Sequence, residues 1–550
     1  MNIKKHALIA LSLVLLAPLG AGAQVSSERI VKAADEPQNW LTYSGGYFSQ
    51  RYSALKQIDA ANVKNLEIKW ILPNQVFGAW QSSPLVVDGI MYVTMRPNDV
   101  LAVDAKSGHV FWQYHYQNSP DQRVCCGSNN RGVAMLGDTL FMGTLDGHLV
   151  AIDAKNGKGL WNVAVGDPKV GYSITLAPLI VKDKVIVGVG GGEFGIRGFI
   201  TAHDPKTGKE VWRTNVIPGP GQKGSETWRG EDWTHGGGSV WVTGSYDPAL
   251  NLTYWGTGNP GPDWTPGQRP GDNLYTDSVL AIDPDSGAIR WHYQFTPNDG
   301  YDYDSVQVPV LADIDWKGTP TKAMLWANRN GFFYVLDRTS GKFLSATPFV
   351  KVNWASGHDA NGRPLQTPQG PGMPTFPGNQ GGTNWFSPSF SPRTGLFYVS
   401  AWLDYASIYK REEAEYQPGR TFAGAFPTTL TPVPGAPAPG IGRRSPINNW
   451  TDAVAHGAVI AIDPKTGQQK WKFDQFDVTE SGNLTTAGDV LFTGGREGYF
   501  YALDARTGAL LWKSTVGGQI VNGPITYQVD GKQYVAMISG NSLIVYGLRE

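Results

Sequence analysis

Cysteine is nearly absent, with two residues in a chain of 550. Two thiols cannot build a disulfide framework, a four-cysteine zinc site or an iron–sulfur cluster. A surplus of either charge is absent too: 46 Lys+Arg stand against 47 Asp+Glu, for a net charge of −1. That balance lacks the basic footprint that a phosphate backbone demands, so nucleic acid is excluded as a partner. Past the N-terminus no apolar run is long enough to span a bilayer. With 41% hydrophobic and 17% charged residues, the chain can bury a large core and is not disordered. What the sequence does hold in quantity is Gly (68) and Trp (20), a combination rare in helical domains. Length alone suggests three or four domains, although all-β architectures often run long as one unit.

The N-terminus reads as an export signal. Lys4 and Lys5 precede an apolar run from Ala7 to about Leu19, and Ala21-Gly22-Ala23 has the small-x-small form of a cleavage site. The expectation is a signal peptide over 1–23, cleaved before Gln24, and one mature domain over 24–550. The exported protein then sits where disulfides persist.

One pattern recurs along the chain: apolar residues, Asp, three turn residues, Gly, then Trp eight positions after the Asp. It appears at Asp104/Trp112, Asp153/Trp161, Asp204/Trp212, Asp283/Trp291, Asp463/Trp471 and Asp504/Trp512. At Asp337 the turn persists without the Trp, and SPRTGLFYVSAW around 391–402 reads as a looser eighth copy. In each copy Asp can cap backbone amides while Gly takes positive φ. The result is a β-hairpin that cannot bury its own apolar face. Clean spacings of 49, 51, 54 and 41 residues between successive Asp match four-stranded blades. The fold class is therefore all-β, an eight-bladed β-propeller of four-stranded antiparallel blades. Gly/Pro-rich stretches at 256–273 and 427–446 cannot be strand interiors and read as long loops over one face.

The adjacent pair Cys125-Cys126 is the sharpest local anomaly. In an oxidising compartment it reads either as a vicinal disulfide, which cross-links no distant segments, or as two reduced thiols. A closed ring would offer a rigid platform for a planar ligand.

The Trp-bearing repeats, CCGSNNRG, GGGEFGIRG, GTGNP and NDGYDYD, in this order, resemble the quinoprotein alcohol dehydrogenases. That resemblance covers essentially the whole mature chain, and it implies pyrroloquinoline quinone (PQQ) and a bound metal ion as cofactors. It implies that Cys125 and Cys126 form a disulfide ring on one face of PQQ, with Trp241 on the other. Arg131 matches the arginine that pairs with PQQ carboxylates, and Thr175 and Ser239 match hydroxyl donors. Gly190, Gly191 and Gly192 permit close backbone approach, while Arg329, Asn384 and Trp385 match further cofactor contacts. Gln81 and Glu480 depart from the family pattern, standing where relatives often carry Glu and Trp.

The implied metal set is Glu193, Asn259 and Asp302, hard oxygen donors suited to Ca²⁺. Asp304 adds a carboxylate that resembles the lanthanide-dependent branch, because a trivalent ion is better balanced by one more negative ligand. A lanthanide (La/Ce-type) is thus the first expectation and Ca²⁺ the second. The implied reaction oxidises an alcohol to an aldehyde or ketone, with Asp302 and Arg329 catalytic. A sugar or bulky secondary alcohol is the alternative substrate, and a non-catalytic protein-binding propeller is the alternative from another class. No Cys-x-x-Cys-His haem motif is present, so a separate periplasmic cytochrome c or similar carrier is expected to accept the electrons. A homodimer is compatible with the resemblance.

Overall fold

The computed structural model describes residues 25–425, 428–429 and 455–549. The expected signal peptide lies outside the described residues, as does all of the Pro-rich stretch 427–446 except Thr428–Thr429. Eight sheets carry the architecture. Seven follow one another along the chain as four-stranded antiparallel meanders, beginning at Leu85, Ala134, Leu179, Ser245, Val310, Ser389 and Leu484. The eighth closes the ring with strands from both ends of the chain: Leu66–Pro73 pairs with Ser542–Leu548, in register from Leu66↔Leu548 to Pro73↔Ser542. All-β, eight-bladed and four-stranded are as expected; the sheet at Leu484 adds Tyr52–Ser53 as a fifth, parallel strand.

Burial explains the strand composition. Inner strands such as His148–Asp153 are buried on both faces between neighbouring blades, and so read as continuous apolar runs. Outer strands such as Gly159–Ala164 alternate exposed and half-buried residues, the period-two pattern of a surface with one covered face.

Each repeat turns out to be a device for joining blades. Asp104 Oδ1 accepts from Lys106 N (2.8 Å) and Ser107 N (2.9 Å), which closes the turn. Gly157, in the corresponding turn of the next blade, has φ +73°, and a Cβ there would lie 2.5 Å from the Trp112 ring. The Trp112 indole also donates to Ala154 O at 3.1 Å. The same indole-to-turn bond links Trp161 to Pro205 O (3.1 Å), Trp212 to Pro284 O (2.9 Å) and Trp471 to Ala505 O (3.1 Å). Glycine is needed for two reasons at once: the left-handed backbone and the flat seat for the ring.

One expectation is corrected. The segment 391–402 is not an eighth copy. It forms the first and second strands, Ser389–Ser391 and Leu396–Leu403, of the blade whose third and fourth strands carry Asp463 and Trp471. Its Thr-Gly turn joins the first and second strands, its Gly395 seats no Trp ring, and its contact with the next blade is the Arg393–Asp489 pair at 2.9 Å. The real eighth blade has no Asp-turn repeat, and Trp70 from its N-terminal strand fills the vacant place. A Cβ on Gly108 would lie 2.7 Å from the Trp70 ring, and the indole donates to Ala105 O at 3.2 Å.

Candidate active site

Connections between blades and turns between inner strands converge on one cavity. Between the first two blades, Cys125, Cys126 and Arg131 enter its lining, and between the next two, Thr175. Gly190, Gly191 and Glu193 come from the turn between Lys184–Gly188 and Phe199–His203. Trp241 precedes the fourth blade and Asp302 and Asp304 the fifth, whose inner turn supplies Arg329. Asn384 and Trp385 precede the sixth, and Gln81 arrives from the segment before the first. Gly192, Ser239 and Asn259 stand directly behind this wall: a Cβ on Gly192 would lie 3.2 Å from Ser239 Oγ and 3.7 Å from Asn259 Oδ1. Residues spread over some three hundred positions thus meet because the ring brings its connections together.

Glu480 is the exception. It is buried in the connection before Leu484–Thr486 and does not line the cavity. Of the two states open to the adjacent cysteines, the structure shows separate thiols. Cys125 Sγ donates to Glu193 Oε1 at 3.1 Å, with Cys126 Sγ at 3.9 Å from the same oxygen. The interaction with Cys126 and the Glu193 charge push the Cys125 thiol up, so it remains protonated and satisfies the carboxylate as a donor.

The acidic set is tightly organised. Arg329 Nη2 lies 2.7 Å from Asp302 Oδ2 and Nη1 lies 2.7 Å from Asp304 Oδ2. Asn379 O accepts from Arg329 Nε (3.0 Å) and Nη2 (2.6 Å), which fixes the plane of the guanidinium. Asp304 Oδ1 accepts from Asn259 N at 2.8 Å. Burial raises the carboxyls of Glu193, Asp302 and Asp304, Asp304 adds to the rise of the other two, and Arg329 opposes it in all three. Burial works against the charge on Arg329, but Asp302 and Asp304 outweigh it and hold the guanidinium protonated. Asp302 itself has φ +64°, an uncommon backbone for a non-glycine residue.

Across the cavity, Arg131 Nη1 donates to Thr175 Oγ1 at 3.0 Å. Its guanidinium carbon lies 4.9 Å from the Trp241 ring centre and 4.8 Å from that of Trp385. On one rim the 404–425 connection is pinned down: Phe422 N donates to Glu193 O at 2.7 Å and Trp264 N to Ala423 O at 3.1 Å.

These residues fit a bound cation and a flat, acidic ligand. Asp302 and Asp304 share one guanidinium while Glu193 faces the same cavity, so a cation would relieve the repulsion among the carboxyls. Gln81 Oε1 is buried without a partner. Gly191 has φ +115°, and a Cβ there would collide with Gly171 O, so the wall stays bare backbone. Sequence reasoning missed Ser173 and Gln380, which also line the cavity, and Asp263, which is buried behind it. Ser173 and Gln380 lie beside recognised motifs, whereas nothing in GPDW marks its aspartate.

The family model described as glucose/ethanol/alcohol dehydrogenase, β-propeller domain, matches residues 40–358. Quinoprotein alcohol dehydrogenase PedH of Pseudomonas putida is 39% identical over 98% of this chain and 92% of its own length. The chain belongs to the PQQ-dependent quinoprotein alcohol dehydrogenases. As a member of that family it is an oxidoreductase acting on CH–OH donors. Lanthanide-dependent methanol dehydrogenase of Methylacidiphilum fumariolicum is likewise 39% identical, over 98% of this chain and 91% of its own. A solved europium-containing methanol dehydrogenase superposes with a TM-score of 0.86 at 35% identity, covering 95% of this chain and 100% of that one. Quinohemoprotein alcohol dehydrogenase from Comamonas testosteroni superposes at 0.85 with 36% identity, covering 95% and 82%. Lanthanide and haem-bearing quinoproteins stand at similar identity, so overall likeness does not single out the lanthanide branch. A second family model, outer membrane protein assembly factor BamB, matches residues 455–547, a stretch of propeller repeats.

Proposed function

We propose that the cavity binds PQQ with one lanthanide ion, Ca²⁺ being the alternative, and oxidises an alcohol beside Asp302. The observation that carries this is the Asp302–Arg329–Asp304 bridge, with both arms at 2.7 Å, facing Glu193 and the Cys125-Cys126 pair across one cavity. Glu193, Asn259, Asp302 and Asp304 would hold the cation. Cys125, Cys126 and Trp241 would hold the quinone between two faces, with Gly190, Gly191 and Gly192 beside it. Arg131, Thr175, Ser239, Asn384 and Trp385 would bind its edge, Arg131 suiting a carboxylate. A disulfide oxidant of the export compartment, accepting two electrons and two protons, would join the two adjacent thiols into the ring that the family resemblance implies.

When bound, the quinone supplies a two-electron acceptor and the cation a Lewis acid. The chain's own residues do the rest. Asp302 takes the substrate hydroxyl proton as general base, and Arg329 keeps that carboxylate aimed. Because both of its arms and its Nε are already engaged, Arg329 presents fixed positive charge where negative charge builds up. The Trp241 and Trp385 rings and the buried surroundings of the carboxyls lower the local dielectric, which strengthens each of these interactions.

Residues 1–23 would direct export to the periplasm, leaving 24–550 as one propeller domain. A c-type cytochrome would accept the electrons, and neither Cys125 nor Cys126 lies in a Cys-x-x-Cys-His motif that could hold its haem. A relative from Thauera butanivorans bears the name 1-butanol dehydrogenase (cytochrome c), which supports this reading. The test is reconstitution with PQQ and either La³⁺ or Ca²⁺, assayed with a dye acceptor over alcohols and sugars. Alcohol turnover with La³⁺ is expected. Activity with Ca²⁺ alone would remove the role given to Asp304, and turnover of sugars only would move the substrate class.

A further inference from the structure

Asp263 is a buried acidic side chain beside the metal set that the reading above leaves without a task. It is 2% exposed, and its Oδ1 is buried with no hydrogen-bond partner. Its carboxyl interacts with the side chain of Asn259 and with the charges of Glu193 and Asp304, three of the four residues assigned to the cation. The loop that carries it is held on both sides. Asp263 O accepts from Arg269 Nη2 at 3.2 Å, and Trp264 N is bonded to Ala423 O. Asn259 N, at the loop's start, is bonded to Asp304. A carboxylate fixed in this way, with an unpaired oxygen among metal-ligating groups, is costly unless a cation compensates it.

Asp263 adds one negative charge beside Glu193, Asp302 and Asp304, while Asp277, Asp299, Arg269 and Arg329 form a fixed background for either ion. An added negative charge stabilises a trivalent ion more than a divalent one. We propose that Asp263 is a specificity-determining residue of the metal site, favouring trivalent over divalent ions. The inference rests on the metal reading given under Proposed function.

The test uses the full mature protein with PQQ and measures Tb³⁺ uptake by sensitised luminescence, with Ca²⁺ affinity from competition. Asp263→Asn keeps the shape of the side chain and removes its charge. Tb³⁺ affinity is expected to fall about tenfold or more while Ca²⁺ affinity changes less than about threefold, and Asp263→Glu is expected to restore most of the Tb³⁺ preference. Equal loss for both ions means a structural role and overturns the assignment, as does an unchanged ratio. A wild-type protein that takes up neither ion overturns the metal reading itself, and the assignment with it.

Discussion

Arg329 Nη1 lies 2.7 Å from Asp304 Oδ2, in a pair whose side chains are 5% and 7% exposed. Removing one partner of a buried pair strands the other's charge, which costs more than the pair contributes. Arg329→Ala strands both Asp302 and Asp304 and is expected to destabilise the apo-protein by about 3–5 kcal/mol in urea titration. Arg329→Lys, which cannot span two carboxylates, should recover less than half of that loss. An Arg329→Ala protein as stable as wild type would show that the carboxyls protonate at no cost.

Asp302→Ala should leave PQQ binding intact, read from the cofactor's absorbance, while lowering kcat by about 10²–10⁴-fold. Loss of PQQ binding together with activity would make Asp302 a cofactor residue only, and wild-type turnover would remove its role as base.

The contact of Trp112 with Gly157 offers a stability test far from the cavity. Trp112→Ala is expected to cost about 3–5 kcal/mol. Gly157→Ala must place a Cβ 2.5 Å from the ring on a φ of +73° and should also destabilise. If the two residues act through one interface, the double mutant will lose less than the sum of the single mutants. Strict additivity would dissociate the turn from the ring.

Burial holds His292 and His358 down to about 4, against about 6.5 for an unfolded histidine. Between those values the unfolded chain binds protons that the folded chain refuses, so these residues withdraw stability as pH falls from about 6.5 to 4. With partial exposure allowed for, each is worth about 2 kcal/mol across the window. Buried carboxyls with raised values act in the opposite sense, so the measurement is a difference. The His292→Gln/His358→Gln variant should lose less stability than wild type between pH 7.5 and pH 5, and parallel curves would refute the assignment.

Much of the ring was legible because its unit is local. Asp104, Gly108 and Trp112 lie within one hairpin, and the same spacing recurs in six of the eight blades. The closing blade was not legible, since it pairs Leu66–Pro73 with Ser542–Leu548 and has no Asp-turn repeat of its own. That gap let 391–402 pass for the eighth copy, though the blade count was right. In the site, Glu193, Asn259, Asp302 and Asp304 sit in recognisable motifs and do come together. Asp263 was invisible because a lone aspartate beside prolines reads as an ordinary turn former; only burial without a partner distinguishes it. The state of Cys125 and Cys126 could not be read from their adjacency.

The seam of the closing blade also sets an order of events. Leu66 waits for Leu548, across almost the entire chain. A polypeptide that emerges N-terminus first therefore holds seven sheets as an open arc, with the outer face of its first blade unsealed. Gln81 leaves the seam strand for the cavity only a few residues after Pro73, so this wall of the cavity is anchored last. Truncating the final strand would then do more than shorten one sheet: it would leave an open crescent in which the cavity lacks a firm side.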